Sequence, residues 1–215
     1  NAEGSRIHAG AVYKVVHGNL FTSTSLLGSY SALDARRRYS DALQPSVFHD
    51  ATSERDAVSL FWRLRAGYRF NRGRFDLTPM VDMDLFLNHQ YQYEEAGSGG
   101  LETWVDSTTN FLTDLHPRIR FGTHFGMGQA HVRVYGEFGQ RFALNDPEMK
   151  VGLAGGLGGQ ATVPVTQERE DRLDSWGTGL IADLGDRFEL RLHYERTDGG
   201  QERNERFALK AAYKF

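Results

Sequence analysis

The chain has 215 residues, 40% of them hydrophobic, and a formal net charge of −3, with a mean hydropathy of −0.51 and a pI near 6.3. These values exclude a bundle of transmembrane helices, each of which needs about twenty consecutive apolar residues, whereas runs such as Leu85-Phe86-Leu87 stop after a few; they also argue against a nucleic-acid binder, which shows a basic stripe and a high pI. The absence of cysteine excludes a disulfide framework, a thiolate zinc site and a thiol nucleophile.

In chain order the predicted elements are strands. Asn1 to Gly10 has neither the basic nor the apolar region of a signal peptide, so a mature or excised segment is expected. Ile7–Val16 and Leu20–Ser31 come first, loosely patterned and joined by His17-Gly18-Asn19; a long polar connection follows, about Arg36 to Asp56. Leu60, Trp62, Leu64, Ala66, Tyr68 and Phe70 then alternate with Arg63, Arg65 and Arg69. After Asn71-Arg72-Gly73, Leu77, Val81, Met83, Leu85 and Leu87 alternate with Asp76, Asp82 and Asp84. Beyond a second long connection, Tyr93 to Asn110, the set Leu115, Ile119, Phe121 and Phe125 opposes His116, Arg118, Arg120 and His124. Gly126 to Gln129 turns the chain into Val132, Val134 and Phe138 against Arg133, Glu137 and Arg141. Asn145 to Asp174 is the third long connection. Trp176–Leu184 and the turn Gly185-Asp186 lead into Phe188–Glu195, where alternation has no exception. Thr197 to Asn204 is the last loop, and the final strand sets Phe207, Leu209, Ala211, Tyr213 and Phe215 against Ala208, Lys210, Ala212 and Lys214.

A period of two places each set on one face of a strand, where a helix would scatter both. Nine such strands, with short Gly/Asn/Asp turns alternating with long polar loops, have the layout of an outer-membrane barrel with short periplasmic turns and longer external loops. The expected fold is therefore all-β: an antiparallel up-and-down transmembrane β-barrel. Trp62, Tyr68, Phe70, Trp176, Tyr194, Tyr213 and Phe215 fall near strand ends on the apolar face, as interfacial girdles do. A soluble antiparallel sandwich also alternates, so periodicity by itself leaves both open. With Phe215 on the periplasmic side, the first strand runs inward from outside, which implies an odd number of strands before Asn1.

The order of landmarks resembles the autotransporter β-domain of type V secretion. Ala66-Gly67-Tyr68-Arg69-Phe70 precedes Leu77-Thr78-Pro79; Tyr93-Glu94-Glu95-Ala96-Gly97 precedes Val105-Asp106-Ser107 and Pro117-Arg118-Ile119-Arg120-Phe121-Gly122. Val134-Tyr135-Gly136-Glu137 follows, then Gly177-Thr178-Gly179-Leu180-Ile181-Ala182-Asp183-Leu184-Gly185-Asp186-Arg187 and the terminal Tyr213-Lys214-Phe215. The resemblance implies a single barrel domain over residues 1–215 with nine strands of an expected twelve, the first strands and a threading helix lying upstream. It implies a bacterial outer-membrane location and a role in anchoring an upstream passenger and exporting it to the cell surface. The alternative is a passenger-free adhesin or porin-like barrel. Implied partners are outer-membrane lipid and lipopolysaccharide, the barrel-assembly machinery and the chain's own passenger. Leu209, Tyr213 and Phe215 would form the assembly signal. Lys210 stands where the family usually has glycine and Ala208 where it has a polar residue, which weakens that signal.

Alternation assigns Arg63, Arg65, Arg69, Asp82, Asp84, Arg118, Arg120, Arg133, Glu137, Arg141, Glu189 and Arg191 to the pore lining. These residues either hold a threading segment and bias what passes, or pair across strands and fill the pore. No catalytic residue, metal or cofactor is expected. His116 and His124 are eight residues apart, roughly 27 Å on a strand, too far to share a metal. Gly152 to Gly159 lacks the Gly-Lys-Ser/Thr ending of a phosphate loop and reads as an external hairpin. Asp82 and Asp84 read as counter-ions to arginines rather than an acid/base pair. His89, Glu94 and Glu95, at the outer rim, show no Ser-His-acid order. Arg36-Arg37-Arg38 is a solvated rim or a lipopolysaccharide phosphate contact.

Overall fold

The computed structural model describes residues 2–40, 46–97, 103–128, 130–146, 148–154, 160–166, 169–185, 187–200 and 203–213. The elements are all strands: β1 (Ala2–His17), β2 (Leu20–Ser40), β3 (Phe48–Tyr68), β4 (Phe70–Arg72), β5 (Phe75–Gln90), β6 (Tyr93–Glu94), β7 (Thr103–Val105), β8 (Thr108–Met127), β9 (Ala130–Ala143), β10 (Glu148–Ala154), β11 (Gln160–Thr166), β12 (Arg172–Leu184), β13 (Phe188–Asp198) and β14 (Arg203–Tyr213). Nine of them follow one antiparallel path, β1-β2-β3-β5-β8-β9-β12-β13-β14, with β4 beside β5, and the sheet curls into a half-barrel. The nine strands inferred from periodicity are these nine. A separate four-stranded sheet, β11-β10-β7-β6, is built from segments that the sequence pattern assigned to external connections.

All four short turns lie at one end of the sheet. Gly18, Gly73, Gly128 and Gly185 open them at φ near +60° (58, 60, 62 and 63°), a conformation that a Cβ disfavours and that a II′ hairpin demands of its first central residue. The register runs His17↔Leu20, Arg72↔Phe75 and Met127↔Ala130, so three of these are two-residue hairpins. The second turn is thus Gly73-Arg74, two residues beyond the start of the Asn71-Arg72-Gly73 reading.

At the other end the strands run on well past the sequence boundaries. β2 and β3 each have 21 residues, and β8 has 20, against the ~10 that a tilted strand needs to cross a bilayer. The segment Arg36 to Asp56, expected as a loop, instead continues the β2–β3 ladder to Ser40↔Phe48. Residues there are polar on both faces, so the alternation fades although backbone pairing does not. Tyr39 stacks on His49 with ring centroids 5.6 Å apart. Arg36 and Arg38 both donate to Asp50, at 2.6 and 3.0 Å.

Two prolines interrupt the ladders locally. Pairing of β3 with β5 stops at Gly67↔Met80 and resumes in β4 at Phe70↔Leu77 in the same register, because Pro79, between them, has no N–H to donate. On the other side of β3 the pairing with β2 runs on, the Arg69 N–H donating to the Asn19 carbonyl at 2.9 Å. Pro117 opens the β8–β9 ladder in the same way, between Leu115↔Phe142 and Arg118↔Gly139.

Burial is inverted relative to a water-soluble fold. On β5, Asp76, Thr78, Met80 and Asp82 are buried on one face, while Leu77, Val81, Met83 and Leu87 are exposed on the other. Exposed Ile119, Phe121, Phe138, Trp176, Phe207 and Leu209 continue that apolar face around the sheet. A contiguous apolar surface of this extent is stable only against lipid or another apolar partner. Six of the seven predicted girdle aromatics lie within the described residues; Tyr68 packs against Phe70 and Trp176 against Tyr194, with centroids 4.7 and 5.6 Å apart. Phe215 lies outside the described residues.

Candidate functional site: the charged face of the sheet

In an antiparallel sheet, directly opposed residues share a face. The register therefore gathers the ionisable sets of successive strands into one surface. Arg63 opposes Asp84 and Arg65 opposes Asp82; Arg120 opposes Glu137. Arg63 grips Asp84 through two bonds of 2.6 Å, and Arg65 grips Asp82 at 2.6 and 2.8 Å. Such bidentate contacts are the strongest of the charged pairs.

The pairs are chained rather than isolated. Arg118 donates to Asp82 and, at 3.2 Å, to Glu137. Glu137 in turn accepts from Arg120 at 2.9 and 2.7 Å. The chain Arg65–Asp82–Arg118–Glu137–Arg120 thus ties β3, β5, β8 and β9 together. Asp82 and Glu137, its two bridging carboxylates, have side chains 1% and 3% exposed, so each depends on two guanidiniums for the solvation it lacks. Gly139 makes room for this: a Cβ there would stand 2.4 Å from Arg118 Cγ and 2.6 Å from the Pro117 carbonyl oxygen.

A second group lies towards the turns. Arg133 holds Asp76 across β5 and β9. Tyr135 donates to or accepts from His193 Nδ1 at 3.0 Å and lies beneath the Arg120 guanidinium, 4.6 Å from its ring centroid. His193 Nε2 is 3.8 Å from both Glu137 and Glu195, which extends the network to β13. His116 and Ser175 share a buried 2.7 Å hydrogen bond that spans from β8 to β12 over Gly139.

Of the twelve residues assigned to the lining, ten enter ion pairs with one another or with Asp76. Glu189 and Arg191 pair along their own strand at 2.6 Å. Arg69 and Arg141 make no ion pair among the described residues. Periodicity missed Asp76, Tyr135, Ser175, His193 and Glu195 as members. Asp76, His193 and Glu195 were on the right face, but membership depends on register, which a single strand does not carry.

The remaining candidates are placed as follows. His89 Nδ1 meets Thr109 Oγ1 at 2.8 Å, and Glu95 accepts from Arg37 at 2.6 Å. With Arg36 and Arg38 on Asp50, all three arginines of the basic run face carboxylates at the rim. Gly152 lies in the β10–β11 hairpin, whereas residues 155–159 fall outside the described set. Leu209 and Tyr213 are exposed on the apolar face of β14.

Comparison with known proteins agrees with this geometry. A model of the autotransporter β-domain matches residues 1–195. The fold is similar to the crystal structure of the β domain of the Bordetella autotransporter BrkA, with a TM-score of 0.63 and 19% identity, over 99% of this chain and 73% of that one. Among curated proteins none matches.

Proposed function

The chain belongs to the autotransporter β-domain family, and from that premise we propose how its geometry serves the family role of an outer-membrane translocator barrel, which anchors an upstream passenger and mediates its export to the cell surface. The observation that carries the reading is the two-sidedness of the sheet. One face is exposed and apolar across all nine strands, and the other is a linked network of buried charge from β3 to β13. Lipid fits the first face and a polar lumen the second.

In this reading the twelve lining residues named from the sequence face the lumen, and their carboxylates hold the arginines in place while leaving a hydrophilic wall. Arg69, Arg141 and the half-exposed Arg191 are the guanidiniums best placed to meet a passing chain. Strands β1 and β14 do not pair with each other among the described residues, and this chain covers 73% of the BrkA β domain. Both support an arc completed by further strands, with a threading segment inside. Leu209 and Tyr213, together with Phe215, would be read by the barrel-assembly machinery, and the outer rim would meet lipopolysaccharide.

The test is protease accessibility on intact cells that express the full natural chain with an epitope in its upstream segment. A translocator leaves the epitope cleavable from outside, and deleting the barrel removes that cleavage. A barrel that assembles while the upstream segment never reaches the surface is instead a passenger-free adhesin or pore.

A further inference from the structure

We propose that the turn end of the apolar face carries a binding site for an anionic glycerophospholipid, with Arg72 as its phosphate ligand. The site rests on the membrane-barrel reading and goes beyond it in naming one position and one lipid class. Register builds it in two rows on the lipid-facing surface. The first is Phe70–Leu77–Phe121–Gly136–Thr178, and the second is Arg72–Phe75–Thr123–Val134.

In both rows large side chains give way to small ones, Phe121 to Gly136 and Phe75 to Thr123, so the surface is hollowed rather than smooth. A depression of about 720 Å³ lies between Phe75, Leu77, Phe121 and Val134. Gly136 forms part of its floor: a Cβ there would stand 2.6 Å from Phe121 Cζ, so the Phe121 ring can lie flat across the strand only because that position is glycine. Phe75 and Phe121 remain 67% and 58% exposed. These are walls for an acyl chain, with nothing among the described residues covering them.

The charge at the end of the groove selects the headgroup. Arg72 opposes Phe75 and so projects from the apolar face, beside the Gly73 turn. Unlike Arg63, Arg65, Arg118, Arg120 and Arg133 of the opposite face, it makes no ion pair or side-chain hydrogen bond among the described residues. Asp76, which borders the depression, has its carboxylate committed to Arg133 on the other side of the sheet. A guanidinium at the interface reaches the headgroup level along its aliphatic stem, and its planar fork matches a phosphodiester. With no carboxylate in either row to offset it, the site favours a net-negative lipid over a zwitterionic one.

The experiment is native mass spectrometry of the full natural chain refolded in detergent with equal amounts of phosphatidylglycerol and phosphatidylethanolamine of matched acyl chains. Heat-modifiable gel mobility of the same sample reports whether the barrel has formed. One phosphatidylglycerol is retained in preference to phosphatidylethanolamine. Arg72→Gln weakens that retention about tenfold, the loss of one charge-assisted contact. Arg72→Lys keeps most of it. Thr123→Leu, which fills the depression without touching the charge, also loses it. Arg172→Gln removes an arginine from the opposite end of the sheet and changes nothing. A folded wild-type barrel without preference between the two lipids, or Arg72→Gln retaining phosphatidylglycerol as wild type does, overturns the site. If the wild type gives no heat-modifiable band in detergent, the translocator reading fails and the lipid site falls with it.

Discussion

Arg118 of β8 donates to Asp82 of β5, a carboxylate that Arg65 of β3 already holds in a bidentate grip. One side chain, 1% exposed, thereby joins three strands that backbone bonds link only pairwise. Removing it leaves Arg65 without its carboxylate and Arg118 with Glu137 alone, and that loss costs more than the pair contributes. Asp82→Asn should therefore destabilise the folded barrel by about 3–5 kcal/mol, seen as an earlier midpoint in denaturant unfolding from detergent. Glu189→Gln, which breaks the more exposed pair with Arg191, should cost under about 1 kcal/mol. Equal effects of the two substitutions would mean that the network is not buried.

Tyr135 crosses the sheet over Gly179, where a Cβ would come within 2.4 Å of the phenol and 2.6 Å of the Leu192 carbonyl oxygen. The carbonyl belongs to the β-ladder and cannot yield, so Tyr135 must swing away and release His193. Gly179→Ala should destabilise by about 1–3 kcal/mol, the usual cost of overpacking. Gly179→Ala combined with Tyr135→Leu should recover part of that loss, because the clash with the phenol is then gone. The same denaturant titration reads both.

At the outer rim, hydrogen bonds from Arg36 and then Arg38 hold the Asp50 carboxyl down to about 2, from an ordinary 3.8. A depressed folded-state value means that the contribution is fully present above the unfolded pKa and lost as pH falls through the folded one. The tip of the β2–β3 hairpin should thus keep its order at pH 5 and loosen between about pH 4 and 2. Amide hydrogen exchange at Tyr39 and His49 measures this. Asp50→Asn should bring the faster low-pH exchange to neutral pH. A tip whose exchange is unaffected by either change would show that the arginines do not order it.

The two faces should respond oppositely to a new charge. Leu64, on the apolar face opposite Thr24 and Met83, becomes Arg at a cost of about 2–4 kcal/mol if that face meets the bilayer interior. Ser29→Arg, on the other face opposite Ser59, should cost far less. Unfolding of the barrel from lipid vesicles compares them. A larger cost for Ser29→Arg would reverse the assignment of lipid and lumen.

Much of this was legible in the residues themselves. Phe188 to Glu195 and Asp76 to Leu87 show which face each side chain takes, since a period of two permits no other sorting, and Gly18, Gly73, Gly128 and Gly185 mark the turn end. The rest depends on neighbours. Asp82 is written in the sequence as a charged-face residue, but its position between Arg65 and Arg118 follows from two registers that no single strand encodes. The outer half of β2 and β3 went unseen because Arg36 to Ser40 and Phe48 to Asp56 are polar on both faces, as strands beyond the membrane can be. β6 and β7, of two and three residues, are too short for a period to exist. Arg72 looked like part of a turn, and only its pairing with Phe75 puts it on the lipid side.

The most direct test of a membrane barrel is heat-modifiable gel mobility of the chain with and without about one hundred upstream residues, ~12 strands being a common barrel size, after refolding in detergent and in water. A detergent-dependent compact band that shifts on boiling, strongest in the extended chain, is the predicted result. A 215-residue chain that folds cooperatively in water with no detergent would contradict it, because its exposed Phe121, Phe138 and Phe207 would then need no lipid.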